Sequence, residues 1–93
     1  FLPVKGSQRE RELRVAMERT ETSIFFESPY RLVKTLTACS NIMPDRKLCV
    51  ARELTKKFEE FRRGTASELL AHYTVHPARG EITLLINGSE TAR

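Results

Sequence analysis

Apolar positions recur along the chain with two different periods, and the switches between them predict seven elements. From Ser7 to Arg19, Leu13, Ala16 and Met17 share one helical face while charge fills the rest. Ser7 followed by Glu10 has the spacing of a capping box, so a helix is expected over 7–19. Ser23-Ile24-Phe25-Phe26 is short, apolar and aromatic, and reads as a buried strand. Ser28 and Pro29 supply an N-cap and a first helical position. Leu32, Val33, Leu36, Cys39 and Met43 then keep helical spacing until Pro44-Asp45 breaks it. Leu48-Cys49-Val50-Ala51 reads as a central strand buried on both faces. Phe58 to Arg63 alternates weakly and is expected to be a third strand, antiparallel to its neighbour and ended by Gly64. Thr65 with Glu68 forms a further capping box, opening a helix through Leu69, Leu70 and Tyr73. After the breakers Pro77 and Gly80, Glu81 to Ile86 reads as a last strand closed by Asn87-Gly88, with a frayed tail beyond.

Helix, strand, helix, strand, strand, helix, strand is an α/β order. It predicts a helix-strand layered sandwich on a mixed sheet, formed as a single domain over residues 1–93. The chain starts at Phe1 without an initiator Met, which is expected of a fragment of a longer protein. No apolar run approaches the ~20 residues of a membrane span, and no signal-peptide pattern opens the chain.

The formal net charge is +4, which favours an anionic partner such as RNA without requiring one. Lys5, Arg9, Arg11 and Arg14 could face RNA or simply solvate the first helix. Cys39 and Cys49 lie in apolar segments and read as buried hydrophobes of a reducing, cytoplasmic compartment. His72 and His76 have i, i+4 spacing but no third ligand, so no metal is expected.

The sequence contains no glycine-rich phosphate loop, metal cluster or catalytic triad. Two polar stretches stand out because each leaves a strand directly, where open α/β sheets tend to bind ligands. In Glu27-Ser28-Pro29-Tyr30-Arg31, Tyr30 and Arg31 would occupy the first turn of a helix, whose N-terminus favours anions. The alternative is structural, with Ser28-Pro29 capping the helix and Glu27 pairing with Arg31. Arg52-Glu53-Leu54-Thr55-Lys56-Lys57-Phe58-Glu59-Glu60 packs cations, carboxylates and a hydroxyl behind a central strand. It is either a solvated, self-neutralising hairpin or a site in which cations hold phosphates while a carboxylate polarises a hydroxyl. Arg62 and Arg63 extend its basic character.

These two stretches resemble segments of the bacterial small-subunit ribosomal RNA methyltransferase I family. Phe26 to Arg31 is similar to its "ESP-aromatic/His-R" segment, and Arg52 to Glu60 to its "RELTKxxEE" signature. Phe1-Leu2-Pro3 with Lys5 and Arg9, Arg63-Gly64-Thr65, and Gly80-Glu81-Ile82 match further positions in order along the chain. The resemblance implies the C-terminal domain of a two-domain enzyme of the tetrapyrrole-methylase superfamily. Such an enzyme uses S-adenosyl-L-methionine, methylates a cytidine ribose 2'-hydroxyl of 16S rRNA, and is typically a cytoplasmic homodimer. It assigns catalytic roles to Glu53, Lys56, Glu59 and Glu60, and cofactor contacts to Ser28, Pro29, Tyr30 and Thr55. Contacts to RNA fall to Arg31, Arg52, Lys57 and Arg63. The fragment alone is expected to be inactive.

Two other functions fit the same residues. One is a non-catalytic RNA-binding or dimerisation domain. The other is a corrin- or porphyrin-precursor methyltransferase of the same superfamily, which would take a small anionic substrate instead of RNA.

Overall fold

A computed structural model describes residues 1–53, Lys57 and residues 59–89. The element order is α1 (Gly6–Glu18), β1 (Ser23–Glu27), α2 (Leu32–Ile42), β2 (Lys47–Arg52), β3 (Glu60–Thr65), α3 (Ala66–Val75) and β4 (Ile82–Ile86). This is the α/β order expected from the hydrophobic pattern.

The four strands lie in the order β1-β4-β2-β3, and every ladder is antiparallel. The mixed sheet expected from the sequence is therefore not what forms. The two units β1-α2-β2 and β3-α3-β4 do each run between parallel strands. In both cases, however, another strand is inserted between the pair, so each unit is a split β-α-β and only antiparallel neighbours remain.

The register fixes two faces. Ser23, Ile86, Leu48 and Gly64 share one cross-sheet row, and Phe25, Leu84, Val50 and Arg62 share the row two residues on. Period-two alternation turns both rows to the same side. That side carries Leu48, Val50, Ile82, Leu84 and Ile86 into one core with Leu13 and Ala16 of α1, Leu32, Leu36 and Cys39 of α2, and Ala66, Leu69 and Tyr73 of α3. The helical members recur at i, i+3, i+4 and i+7, as one buried stripe requires. Leu2 and Met43 close the same core. Burial pushes the Cys39 thiol up to about 12, which makes it an inert core side chain.

Local sequence chemistry explains some boundaries and fails at others. Thr65 caps α3 reciprocally: the Glu68 N–H donates to Thr65 Oγ1 (3.3 Å) and the Thr65 N–H donates to Glu68 Oε1 (2.8 Å). The expected capping box at Ser7 does not form. Helix α1 begins a residue earlier, Lys5 is its N-cap, and no side chain caps it. Strand β1 is an edge strand, so Ile24 and Phe26 point into solvent where full burial was expected. Strand β2, paired on both sides, is buried as expected from Leu48 to Ala51.

Truncating Leu84, fully buried in the central strand, should cost about 2–5 kcal/mol. Thr65→Ala should cost about 1 kcal/mol through the lost cap. Urea denaturation of both variants checks this, and a Leu84→Ala loss no larger than that of Thr65→Ala would contradict the placement of the core.

Candidate functional site at one end of the sheet

Strands β1 and β2 run in the same direction, so their C-terminal ends meet at one end of the sheet. The antiparallel β3 and β4 begin there. The last cross-sheet row at that end is Glu27, Ile82, Arg52 and Glu60. The two polar stretches singled out from the sequence thus flank β4, separated by two strand spacings, roughly 10 Å. Two polar clusters result.

The first is centred on Glu27, which is buried at 4% relative exposure. Its Oε1 accepts from the Ser28 N–H (2.7 Å) and from Arg31 Nε (3.1 Å), and its Oε2 accepts from Thr35 Oγ1 (2.6 Å). A buried carboxylate persists only when its lone pairs are matched in this way, and here it also faces the positive end of α2. Ser28 to Arg31 form a turn, with the Arg31 N–H donating to the Ser28 carbonyl and the Tyr30 N–H to Ser28 Oγ. Helix α2 therefore starts at Leu32, and Tyr30 and Arg31 precede its first turn instead of occupying it. The structural alternative for Glu27 and Arg31 is the one observed. Tyr30 is left 93% exposed. Thr35 was not singled out from the sequence, although a threonine among Leu32, Leu36 and Cys39 on a core stripe calls for a buried partner.

The second cluster joins β2, β3 and the turn before β4. Arg52 Nε donates to Glu60 Oε1 (2.8 Å), Arg52 Nη1 to the Arg79 carbonyl (2.6 Å), and Arg62 Nη2 to Glu60 Oε2 (3.4 Å). The hydrogen bond from Arg52 holds the Glu60 carboxyl below its ordinary range, against a smaller opposing effect of burial. Tyr73 lies beneath, its phenol raised first by burial and then by Glu60. Beyond Arg52 the backbone turns through Glu53, whose φ of 52° is rare for a non-glycine residue. The Glu53 N–H donates to the Glu81 carbonyl (3.0 Å).

Gly80 has a φ of +80° and packs directly on the Glu53 side chain, where any Cβ would collide with the Glu53 carboxylate. The sequence marked Gly80 as a breaker and as one position of the family resemblance; the close approach explains why glycine stands there. Arg79 likewise escaped notice, because it contributes a backbone carbonyl and not its side chain.

Lys57 and Glu59 lie between Arg52 and Glu60, both exposed. Thr55 and Lys56 lie outside the described residues. Arg63 points to the opposite face of the sheet, its guanidinium 5.6 Å from the Phe61 ring centroid. Arg63 is therefore not brought together with Arg31 and Arg52. On α1, Arg11 and Arg14 are exposed among Glu10, Glu12 and Glu18 and form no purely basic patch. The rings of His72 and His76 stack at 4.9 Å, and among the described residues no three His, Cys, Asp or Glu side chains cluster as metal ligands.

Between the two clusters is an open hollow of about 490 Å³ in front of β1 and β4. Phe1, Phe26, Pro29, Ile82 and Thr83 line it with Glu27, Gly80 and Glu81. Its size falls in the range of small-molecule sites.

Comparison with known proteins gives this end of the sheet a context. No family model matches the chain. Over 89 residues it is 45% identical to ribosomal RNA small subunit methyltransferase I of Bacillus subtilis (strain 168), covering 96% of the chain and 30% of that protein. The chain is homologous to one segment of ribosomal RNA small subunit methyltransferase I. Proteins of the same name from Erythrobacter litoralis (strain HTCC2594) and Thermotoga maritima match at 44% and 41% identity, over 92% and 97% of the chain and 31% and 40% of their own lengths. The chain thus spans about a third of the length of the curated relatives it matches. Among the described residues no helix is long and apolar enough to cross a membrane.

Two variants test the geometry. Gly80→Ala should lower stability and disturb Glu53, because the new Cβ meets both a positive φ and the carboxylate. Unchanged urea midpoints would contradict this packing. Because the folded pKa of Glu60 is depressed, its ionised form contributes stability above the ordinary carboxylate range, and that contribution is lost as pH falls through the folded value. Glu60→Gln should therefore lower stability at neutral pH and flatten the acid limb of the stability profile. An unchanged acid limb would mean that Arg52 and Glu60 are not coupled.

Proposed function

We propose that this chain is the C-terminal, substrate-side domain of an S-adenosyl-L-methionine-dependent methyltransferase of the tetrapyrrole-methylase type. The full protein would transfer a methyl group to the ribose 2'-oxygen of a cytidine in 16S rRNA. The observation that carries this reading is the convergence of the two family-like stretches on one sheet end, in a chain 45% identical to a segment of a ribosomal RNA methyltransferase. The isolated domain is expected to be inactive, since it supplies one wall of a cleft. The complete enzyme is expected to be a cytoplasmic homodimer.

The residues fit one side of a cofactor site. The apolar lining of the hollow suits a flat heterocycle, and the carboxylates at its rim suit a cationic ligand. Pro29 and Gly80 would line that wall, with Ser28 and Tyr30 on the adjoining turn, and the family resemblance adds Thr55 to the cofactor contacts. The cofactor, when bound, supplies an electrophilic methyl group.

The chain's own part is to position the ribose and polarise its hydroxyl. Glu27 is saturated with donors, and Glu60 is held ionised by Arg52. Both carboxylates are engaged by an arginine, and their role is to fix Arg31 and Arg52 for phosphate contact. Glu53, Lys56 and Glu59 are then the groups assigned to the hydroxyl, with Lys57 and Arg63 on the RNA backbone. A small anionic tetrapyrrole precursor would engage only part of this spread of cations.

In the full-length protein, Glu53→Ala and Lys56→Ala should each lower methyl transfer to small ribosomal subunits by ~10²–10³-fold with little change in stability. Wild-type rates in both variants would remove these residues from the site.

A further inference from the structure

The sheet has a second face that the core leaves open. On it, Phe26, Thr83, Ala51 and Phe61 form one row, and Ile24, Leu85, Cys49 and Arg63 form the next. Cys49 and Ala51 are buried yet lie outside the core cluster that joins the sheet to the helices. Ile24, Phe26 and Phe61 are 61%, 55% and 48% exposed, whereas the alternate residues Phe25, Leu84 and Val50 face the core.

The chemistry of this face is uneven in a useful way. Its two large aromatic side chains stand on the edge strands of a single row, with the small Thr83 and Ala51 between them, roughly 14 Å apart. Phe1 packs on Phe26 with ring centroids 5.5 Å apart. Arg63 stacks over Phe61. Lys47 lies further along the same face, and no carboxylate occupies a strand position on it, since Glu27 and Glu60 both alternate to the core side.

We infer that this open face is a platform for single-stranded RNA. Bases stack on Phe26 and Phe61, while Arg63 and Lys47 take the backbone phosphates. Four antiparallel strands backed by helices and bearing exposed aromatics are a general way to read unpaired nucleotides, because every base has a π-face. Arg63 and Lys47 supply the cations of this face, with Glu68 beside Lys47 at one end, and Arg63 over Phe61 suits a stacked base together with its phosphate. The inference rests on the reading of the chain as part of an RNA-modifying protein. It extends that reading from the sheet end onto the adjoining face, which shares Phe26 and Thr83 with the lining of the hollow and would hold nucleotides flanking the modified one.

The test is a fluorescence-anisotropy titration of the protein with a short, unstructured, labelled RNA. Phe26→Ala and Phe61→Ala should each weaken binding by about ten-fold or more, with Phe61→Tyr close to wild type. Arg63→Ala should reduce the salt dependence by about 0.7 in the slope of log K against log salt. Thermal melting should be unchanged in all of them, because these side chains lie outside the core. Wild-type affinity in both alanine variants, or no binding by the wild-type protein, would overturn the proposal. So would concentration-dependent self-association in sedimentation that Phe61→Ala abolishes, since the face would then belong to a second copy. The methyl-transfer assay reads the functional proposal separately. A wild-type protein that transfers methyl but binds no oligonucleotide indicts this surface alone, and absent transfer with intact oligonucleotide binding indicts the function.

Discussion

Strand β4 is the last strand in the sequence and lies inside the sheet, and the rest of the molecule depends on that insertion. It pairs with β1 on one side and β2 on the other, and its Ile82, Leu84 and Ile86 stand under 3% exposure at the centre of the core. Without it, β1 has no hydrogen-bonded neighbour and the β2–β3 hairpin loses one edge. The helices cover only the face whose apolar residues β4 completes. The contacts that define the domain therefore join residues far apart in sequence, and ordering the chain must precede most of the stabilisation gained from burial.

The same insertion builds the candidate site. Glu27 and Arg52 end strands that never touch each other, and Ile82 sits between them on one row. What the two clusters share is a carboxylate clamped by arginine, Glu27 by Arg31 and Glu60 by Arg52. In each, the acid is occupied and the guanidinium is held in place. Around them the backbone takes positive φ at Glu53 and Gly80, uncommon among the described residues, which brings the start of the charged stretch against the turn before β4. Strain of this kind persists only where surrounding structure over-determines it, and it concentrates at functional sites.

Much of this was legible in the sequence, for identifiable reasons. All seven elements follow from periodicity and breakers. The cap at Thr65 follows from a local motif whose partner lies three residues on. The motif at Ser7 failed because α1 starts a residue earlier, so the serine is already helical. The exposure of Ile24 and Phe26 could not be read, since an edge strand and a central strand can share the same composition. The antiparallel sheet was hidden for a related reason: element order does not say which strand is inserted between which. At the site, the placement of the two stretches at a sheet end was legible because each leaves a strand abruptly. The roles of Thr35, Arg79 and Gly80 were not. They act through a buried hydroxyl, a backbone carbonyl and the absence of a Cβ, all of which depend on contacts distant in sequence.

The central claim is that the end of the sheet carrying Glu27, Arg52 and Gly80 forms one wall of a methyl-donor site in a longer protein. Hydrogen–deuterium exchange of the full-length protein, with and without S-adenosyl-L-methionine, addresses it most directly. Slowed exchange at residues 27–31, at Glu53 and at residues 79–83, with the opposite end of the sheet unaffected, is the expected result. Cofactor binding that leaves those amides unchanged would contradict the claim.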